Sequence, residues 1–469
     1  MQLTIREICE ATGGDILAVK KSDYLNINDD ISVSGVSTDS RGDVAGRLFV
    51  PISGPSFDGH DYIYAAISKG AVCSLTEREH KGETYPLIKV ASTRQALMDL
   101  AAYDRMRFAG SVVAITGSAG KTTTKEIIAS VLSKKFETLK TQGNLNNDIG
   151  LPLTLLSRDD AHETMVLEMG MNHLGEISVL SRLGKPDICL ITNIGDAHIE
   201  NLGSREGILR AKSEIFEGLR QGGMVVLNGD DILLSKLPRV THAGKTVYCT
   251  LQNKKDGNWV SAEGIKSQGL RGTSCNVSWQ IEDVAKWPAG SINIQIPLPG
   301  DHMVMNALMS FAVGLELGLS PWEISGGIKD FTPAGHRMAI TEVNGMIIVN
   351  DSYNASPPSM EAAIDMLSSI DGRKVCILGD MFELGDHAEA MHKAVGEYAA
   401  VKKIDILITI GTLSRYMYEA FPQEKSLHYL TKEAFLAEWQ SHLKAGDVIL
   451  IKASRGMALE YVAEEISKI

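Results

Sequence analysis

Short apolar runs alternate with helix-like patterns along most of the chain after residue 110. The runs that predict strands lie at residues 111–115, 165–169, 187–192 and 223–227. Each is followed at once by a polar, glycine-rich loop, namely TGSAGKTT, GMNHLG, NIGDAH and NGDD. This alternation is typical of a parallel α/β sheet, in which ligands bind at the carboxyl ends of the strands. We therefore expect the four loops to form one site.

The same alternation returns in the last third of the chain. Predicted strands at residues 346–349, 374–378, 406–410 and 448–451 are followed by the loops NDSYNAS, GDMFELG, GTLSR and KASRG. Two neighbouring α/β units, each with polar loops at its strand ends, predict a substrate cleft between them.

The remaining segments are less regular. The first 109 residues contain predicted strands at 48–51 and 87–90 and a predicted helix at 93–108. Residues 245–300 have a β-like pattern, and an apolar helix is predicted at 303–319. That helix contains Asn306 and Glu316, so it is too short and too polar to span a bilayer and is expected to be buried.

The local pattern SVVAITGSAGKTTTK predicts a phosphate-binding loop between a strand and a helix that begins at Lys121. Backbone N–H groups of such a loop can wrap a phosphate, while Lys121 neutralises it and the Thr122 hydroxyl holds magnesium. The spacing is the shorter G-x-x-G-K-T-T, because the usual P-loop would require glycine where Ile115 stands. The alternative is a plain strand–turn–helix with a surface lysine. We predict phosphate contacts from Gly117, Ser118, Ala119, Gly120, Lys121, Thr122 and Thr123.

These patterns predict an α/β protein of three domains. They are a small α/β N-terminal domain (1–109), a central P-loop, parallel-sheet ATPase domain (110–331) and a C-terminal Rossmann-like α/β domain (332–469). A length of 469 residues agrees with about three domains.

Composition narrows the class of protein. The net charge is −12, from 46 basic and 58 acidic residues, which argues against a general nucleic-acid binder. Six scattered cysteines without a C-x-x-C pair indicate reduced thiols in the cytosol. The charged residues Arg6, Glu7 and Glu10 argue against a signal peptide. We expect a cytoplasmic protein without an integral membrane segment.

Two strand-associated residues are candidates for metal binding. Glu168 stands inside the apolar run VLEMG, where a carboxylate could bind magnesium directly or through water. The alternative is an edge-strand glutamate that points to solvent. His198 follows the third predicted strand, and this strand-end position favours a functional role over that of an ordinary loop histidine.

Lys212 lies in SREGILRAKSEIFEGL, on one helical stripe with Ile208, Ile215 and Leu219. Burial lowers the pKa of a lysine and makes its neutral amine available. Such an amine can pair with a carboxylate, form a Schiff base or react with carbon dioxide to give a carbamate. The alternative is a side chain that extends past the stripe to solvent.

Charged and polar residues of the C-terminal unit could hold anionic substrate groups. Solvation at the surface is the alternative for each one alone. These residues are His336 and Arg337 in PAGHRM, Asp351, Tyr353 and Asn354 after the first strand of the unit, and Lys452, Ser454 and Arg455 after the last.

Together, TGSAGKTTTKE, the Glu168 strand, NIGDAH, AKSEIF, GHRM and DSYNASPPSM resemble the Mur ligase family of peptidoglycan synthesis. VSTDSR and LFVPISGPSFDGHDYI are similar to its nucleotide-sugar-binding domain, and LGDMFELG and KASRG to its C-terminal domain. The resemblance covers nearly the whole chain. DSYNASPPSM and LGDMFELG resemble the member that adds D-alanyl-D-alanine to UDP-N-acetylmuramoyl-tripeptide, using ATP and an acyl phosphate.

The resemblance also implies roles for individual residues. Lys121, Glu168, His198 and Lys212 would be catalytic, and Thr122, Glu168, His198 and a carbamate on Lys212 would hold two magnesium ions. Asn306 would contact adenine, Arg337 the ATP phosphates, and Asp351 the ribose. Thr38, Asp39, Ser40 and Arg41 would lie near the UDP-sugar, and Asn144, Asn146 and Asn147 near the peptide or phosphate. Tyr353, Asn354, Lys452, Ser454 and Arg455 would face the phosphate and dipeptide side.

Three other hypotheses are a different Mur ligase, a folylpolyglutamate synthase-like ligase and a P-loop NTPase that couples hydrolysis to a partner. The first 109 residues argue against the synthase, and the short phosphate-loop spacing argues against the NTPase. We expect a monomer that closes at a hinge near residues 330–335. Whether the third peptide residue is lysine or diaminopimelate stays open.

Overall fold

A computed structural model describes residues 2–17, 31–79, 85–252, 256–284, 287–333, 335 and 337–468 of the chain. Within these residues the strands form sheets of nine, six, five and two strands, with helices packed against them. The predicted α/β class is confirmed. Each sheet falls inside one predicted domain, while the boundaries themselves stay predictions.

The nine-stranded sheet occupies the middle of the chain. Its first seven strands are mutually parallel, the eighth is antiparallel to the seventh, and the ninth is antiparallel to the eighth. In spatial order they are Thr138–Lys140, Thr164–Glu168, Ser111–Thr116, Ile188–Ile191, Met224–Asn228, Lys245–Thr250, Trp259–Ser267, Thr273–Gln280 and Ala289–Ile296. The strand before the predicted phosphate loop therefore lies between Thr164–Glu168 and Ile188–Ile191, and Met224–Asn228 lies next to the latter. Because these four strands are parallel, all four polar loops lie at one edge of the sheet.

Helices cover the central parallel strands of this sheet, because these strands are buried on both faces. The α-helices are Lys121–Leu132, Gly150–Leu156, Glu176–Gly184, Ile199–Leu202, Arg205–Ser213, Asp301–Glu316 and Pro321–Lys329. Short 3-10 helices occur at Glu214–Gly218 and Leu234–Lys236. The helix Asp301–Glu316 is buried along nearly its whole length, as its all-round apolar pattern predicts, and it packs against Lys121–Leu132.

The six-stranded sheet belongs to the C-terminal unit. Its spatial order is Ala339–Val343, Met346–Asn350, Asp447–Lys452, Arg373–Gly379, Ile406–Ile410 and Ser426–Tyr429, parallel except for the first pair. Its α-helices are Pro357–Ser368, Ala388–Val401, Arg415–Glu419, Lys432–Leu436 and Glu460–Ile466. Its 3-10 helices are Gly385–His387, Gln423–Lys425, Trp439–Ser441 and Arg455–Met457.

The N-terminal unit contains the two smaller sheets. The five-stranded one has the order Asp15–Leu17, Leu87–Lys89, Cys73–Thr76, Leu48–Phe49 and Val36–Ser37, parallel except for the first pair. Leu3–Thr4 and Ser32–Val33 form the antiparallel two-stranded sheet. The helices are Ile5–Thr12, Ile63–Ser68 and Thr93–Met106, with a 3-10 turn at Gly59–Tyr62.

Contacts at the end of the third N-terminal helix join this unit to the central one. Thr93–Met106 packs against Gly150–Leu156 and Glu176–Gly184. The buried Arg105 guanidinium donates to the Gly184 carbonyl at 2.7 Å and to the Lys185 carbonyl at 2.9 Å. Among the described residues, no helix combines the length and the apolar character needed to cross a membrane.

Candidate active site

The predicted phosphate loop lies between the strand Ser111–Thr116 and the helix Lys121–Leu132. Gly117 has φ +152° and Gly120, at the N-cap, has φ +80°, and both backbone conformations favour glycine. The first backbone bond of the helix runs from Thr124 N to the Gly120 carbonyl. The N–H groups of the first helical turn therefore have no acceptor within the helix, and together with the helix dipole they favour an anion.

The loop after the strand Ile188–Ile191 holds the phosphate loop in place through Asn193. The sequence pattern did not single out this residue. The Asn193 carbonyl accepts from Ser118 N at 3.1 Å, and its Oδ1 accepts from Ala119 N at 2.9 Å. Gly195 N donates to Ser118 Oγ at 2.9 Å. Two of the N–H groups expected to wrap a phosphate are thus engaged with Asn193 in this state. The signal was present in NIGDAH, of which Asn193 is the first residue.

Gly117→Ala is expected to weaken ATP binding at least about tenfold and to lower Tm. A Cβ on Gly117 would lie 1.8 Å from Thr192 Oγ1, so the loop must move by an amount that typically costs about 1–3 kcal/mol. Isothermal titration with ATP and a thermal unfolding scan measure the two effects. Gly175→Ala is the matched control, because Gly175 also has a positive φ, +89°, but has nothing within 4 Å of the added Cβ. Equal loss of ATP affinity in both variants would contradict the prediction.

Glu168 is 2% exposed and lies at the end of a strand that is paired on both sides. The alternative of an edge-strand glutamate in solvent is therefore wrong. Its Oε2 accepts from Thr122 Oγ1 at 2.7 Å and its Oε1 accepts from Asn146 Nδ2 at 2.9 Å. The phosphate-loop threonine, the candidate carboxylate and one of the three predicted asparagines thus form one buried cluster.

A buried lysine that the sequence pattern did not single out supports this cluster. Lys125 Nζ donates to the Thr141 carbonyl at 2.6 Å and lies 3.0 Å from Glu126 Oε1 and 3.9 Å from Glu168 Oε2. The buried cation is therefore paired and hydrogen-bonded, as a charge in a protein interior must be. Glu126 also pairs with Lys140. The letters TTTKE place Lys125 on the phosphate-loop helix but do not reveal which way it points.

The donor set at Thr122 and Glu168 fits magnesium. This ion is commonly held by one or two carboxylates together with waters and substrate phosphates, rather than by a complete protein cage. In the described part of the chain, three or more His, Cys, Asp or Glu side chains do not cluster into a metal site. A site that depends on the nucleotide for its remaining ligands agrees with both observations.

Lys212 is 1% exposed, on the helix Arg205–Ser213, so the alternative of a side chain that reaches solvent is wrong. Burial lowers the pKa of its ammonium well below the usual range, and the nearby charge of Lys121 lowers it further. Among the described residues, Lys212 Nζ has neither a hydrogen-bond acceptor nor an ion-pair partner within reach. The neutral amine is therefore favoured, as the sequence predicted.

Charges from three separate segments converge on Lys121. Burial lowers the pKa of Lys121, Glu168 raises it, Arg337 lowers it and Glu383 raises it. Its Nζ donates to the Gly117 carbonyl at 2.8 Å. Arg337 and Glu383 come from the C-terminal unit, so the structure brings that unit to the phosphate loop.

His198 meets the C-terminal unit at the same edge. Its Nδ1 lies 2.8 Å from Glu383 Oε2, and the contact lowers the pKa of the Glu383 carboxyl. Glu383 is part of the motif LGDMFELG, on which the family resemblance was partly based. The motif did not indicate which of its side chains has a function.

Lys452 organises the loop that follows the strand Met346–Asn350. Its Nζ donates to Asp351 Oδ2 at 2.6 Å and to the Asn354 carbonyl at 2.9 Å. Lys452 and Ser454 are buried, and Ser454 Oγ accepts from Phe382 N at 2.9 Å. The Asp351 carboxylate is thus already paired with Lys452. The contact of Asp351 with ribose stays a prediction.

Tyr353 lies between two guanidinium groups. The Arg337 guanidinium carbon is 3.7 Å from the ring centroid and that of Arg455 is 5.0 Å from it. Arg455 Nη1 also donates to the Tyr353 hydroxyl at 2.8 Å. The two cations are suited to an anionic group. His336, the neighbour of Arg337 in GHRM, lies outside the described residues.

Asn306 is buried beside the phosphate loop, where a Cβ on Gly120 would lie 3.2 Å from Asn306 Oδ1. The predicted adenine contact is not tested by this placement. His302, one turn earlier on the same helix, was not singled out by the sequence pattern. Burial lowers the pKa of its imidazole, and the charges of Asp351, which raises the pKa, and Lys452, which lowers it, have smaller effects.

The predicted UDP-sugar residues lie in the N-terminal unit, with local contacts. Asp39 and Arg41 form an ion pair of 2.9 Å, and hydrogen bonds from Arg41 lower the pKa of the Asp39 carboxyl to about 2. The Ser40 carbonyl accepts from Lys69 Nζ at 2.8 Å, and Thr38 is half-buried. In the described residues these contacts do not reach the phosphate loop.

The three predicted asparagines have different positions. Asn146 contacts Glu168, whereas Asn144 and Asn147 are exposed. Asn147 Oδ1 accepts from Gly150 N at 2.8 Å, at the start of the helix that follows. The structure therefore connects one of the three to the buried cluster and leaves two at the surface.

Family models match the chain in three segments. A model described as "Mur ligase middle domain" covers residues 115–314, one described as "Mur ligase, glutamate ligase domain" covers 336–455, and one described as "Mur ligase family, catalytic domain" covers 32–105.

Individual relatives match over almost their full length. The UDP-N-acetylmuramoyl-tripeptide–D-alanyl-D-alanine ligase of Bacillus subtilis is 38% identical, over 92% of this chain and 93% of the relative. A crystal structure of MurF from Acinetobacter baumannii superposes with a TM-score of 0.88, at 29% identity, over 100% of this chain and 99% of that one. A MurF ligase from Thermotoga maritima in complex with ADP gives a TM-score of 0.79 at 28% identity, over 92% and 97%.

Proposed function

Because this chain belongs to the Mur ligase family, we propose that it joins D-alanyl-D-alanine to UDP-N-acetylmuramoyl-tripeptide at the expense of ATP. The family resemblance expected from the motifs is confirmed. The products are the pentapeptide precursor of peptidoglycan, ADP and phosphate. The observation that carries the proposal is that the phosphate-loop pair Thr122–Glu168 and the contact of His198 with Glu383 of the C-terminal unit lie at the same edge of the central sheet.

In the first step the terminal carboxylate of the tripeptide attacks the γ-phosphorus of ATP. An acyl phosphate forms and ADP leaves. The free N–H groups at the start of the helix Lys121–Leu132 and the Lys121 ammonium would stabilise the phosphate charge of this step. A bound polyphosphate would favour the protonated form of Lys121 and so offset the effect of burial on its pKa.

In the second step the amine of the dipeptide attacks the acyl carbon. The tetrahedral intermediate collapses to the amide, the phosphate leaves, and the nitrogen loses a proton. We assign the phosphate and dipeptide side to Tyr353, Asn354, Lys452, Ser454 and Arg455, and the ATP phosphates to Arg337. The guanidinium groups of Arg337 and Arg455 both lie near the Tyr353 ring and supply positive charge for anionic groups at the site.

Thr122 and Glu168 would hold one magnesium ion, and His198 would hold a second with a carbamate on Lys212. When bound, these ions offset the charge that develops on phosphoryl and acyl oxygens. The carbamate is supported by a buried amine without a protein partner in the described structure. The carbamate would add a buried negative charge, which the metal ion would offset.

The remaining assignments follow the same division of the chain. We assign the UDP-sugar to Thr38, Asp39, Ser40 and Arg41, the peptide or phosphate to Asn144, Asn146 and Asn147, adenine to Asn306 and ribose to Asp351. The enzyme is expected to work as a cytoplasmic monomer that closes near residues 330–335. Buried free thiols at Cys73, Cys189, Cys249, Cys275 and Cys376 suit a reducing compartment.

Phosphate release from ATP and magnesium tests the function, with the tripeptide nucleotide and the dipeptide omitted in turn. We expect release only when both are present, with a pentapeptide product by mass spectrometry. Running lysine-containing and diaminopimelate-containing tripeptides in parallel identifies the accepted substrate. Steady release without either substrate would contradict the ligase and favour an NTPase coupled to a partner.

A further inference from the structure

A loop of the C-terminal unit reaches across to the central unit at residues 380–385. Its Glu383 Oε2 lies 2.8 Å from His198 Nδ1. Next to this contact, a Cβ on Gly385 would lie 3.2 Å from Glu200 Cγ, so the Gly385 backbone lies against the Glu200 side chain. The pair His198–Glu383 thus joins the two units, with the His198 side chain 20% exposed and the Glu383 side chain 59% exposed.

The loop that carries Glu383 is anchored at three successive residues. The Asp380 carbonyl accepts from Ser454 N at 3.0 Å, and Met381 N donates to His392 Nε2 at 2.9 Å. Phe382 N donates to Ser454 Oγ at 2.9 Å. His392 is buried and its Nδ1 lies 2.7 Å from the Ala388 carbonyl, so its tautomer is fixed by two backbone groups. The position of Glu383 is thus set by the C-terminal sheet.

Both residues of the contact have a positive backbone φ angle. His198 has φ +65° and Glu383 has φ +64°, which non-glycine residues adopt only where surrounding structure holds them. His198 Nδ1 is buried and, in this state, is not aligned for a full hydrogen bond, although the carboxylate oxygen is within reach.

We propose that Glu383 is a positioning residue that accepts a hydrogen bond from His198 Nδ1–H and thereby leaves the Nε2 lone pair facing the active site. A histidine has one acceptor nitrogen in its neutral form, and the partner of the other nitrogen decides which one it is. Because Glu383 belongs to the C-terminal unit, His198 acquires the correct tautomer only when that unit is docked. The role in turnover rests on the proposed ligase function, while the tautomer does not.

The tautomer is measured directly by 15N NMR of the full chain with 15N-labelled histidine, bound to an ATP analogue in magnesium-free buffer. His198→Gln identifies the resonances among the 12 histidines. We expect a protonated Nδ1 and an unprotonated Nε2 in the wild type, the same state in Glu383→Gln, which keeps an acceptor oxygen, and loss of that state in Glu383→Ala. A protonated Nε2 in the wild type, or an unchanged spectrum in Glu383→Ala, would overturn the proposal.

Turnover provides the second measurement. Loss of such an outer carboxylate commonly costs about 10–100-fold in activity, so Glu383→Ala is expected to lower kcat by that factor with KM for ATP nearly unchanged. Glu383→Gln should recover part of the loss. Glu389→Ala is the control, because Glu389 is exposed on the helix that follows. Equal kcat in Glu383→Ala and the control would refute the positioning role, whereas a wild type without ligase activity would instead refute the proposed function.

Discussion

Lys212→Met is expected to lower kcat at least about 100-fold while leaving the chain folded, a loss of the size seen when one electrostatic group is removed from an active site. Lys212 is 1% exposed and its amine has no partner among the described side chains. Methionine fills a similar volume without charge, so packing is preserved while the amine is lost. The catalytic use of that amine, as a carbamate that supports a metal, is therefore tested separately from the fold.

The stability of the same variant has a defined pH dependence. Burial holds the pKa of Lys212 in the folded protein well below its value in the unfolded chain. In the unfolded chain the pKa of a lysine is about 10.4. Between the two values the unfolded state binds more protons, so the wild type gains stability as pH rises through this window. Lys212→Met should therefore have the higher Tm at pH 7, in buffer depleted of carbon dioxide, and its advantage should shrink toward pH 10.

Steady-state kinetics and thermal unfolding measure both effects. Lys236→Met is the matched control, because Lys236 is exposed and lies in the same central unit. Bicarbonate should raise wild-type activity after carbon dioxide removal and should not affect Lys212→Met. Full activity of Lys212→Met, or a wild type that is indifferent to bicarbonate, would argue against the carbamate.

Glu168→Gln is expected to lower kcat about 10²–10³-fold and to raise the magnesium concentration needed for half-maximal rate. The amide keeps the shape of the side chain and can still bond Thr122 and Asn146, but it lacks the negative charge. Lys125 keeps Glu126 and the Thr141 carbonyl as partners, so the fold should survive.

A magnesium titration of initial rates, with thermal unfolding as the check on folding, measures this prediction. Glu163→Gln is the control, since Glu163 is exposed just before the same strand begins. If both variants respond to magnesium like the wild type, Glu168 is a structural residue of the strand end and not a metal ligand.

Much of the fold could be predicted from the local sequence. The predicted strands in the central and C-terminal units begin and end within about two residues of the observed ones, for example 111–115 against Ser111–Thr116 and 406–410 against Ile406–Ile410. Strands and helices of this kind are specified by periodicity and by adjacent glycine turns, which are local properties.

The pattern was less accurate where tertiary contacts override it. Residues 204–219 have one helical periodicity, yet the α-helix stops at Ser213 and continues as a 3-10 turn. Close packing explains the change, because a Cβ on Gly218 would lie 1.9 Å from the Ser181 carbonyl oxygen and Cys189 Sγ donates to the Ile215 carbonyl. Such long-range contacts are not encoded in the helical period of the segment.

The sequence by itself determined the family, the parallel α/β architecture and the candidate residues Lys121, Glu168, His198 and Lys212, since motif spacing and apolar periodicity are readable from letters. Only the tertiary structure decided that Asn193 occupies two phosphate-loop N–H groups, that Lys125 is buried beside Glu168, and that Glu383 reaches His198. The reason is physical. These contacts join residues far apart in the chain, and side-chain direction and strand order, which no local pattern contains, determine which of them meet.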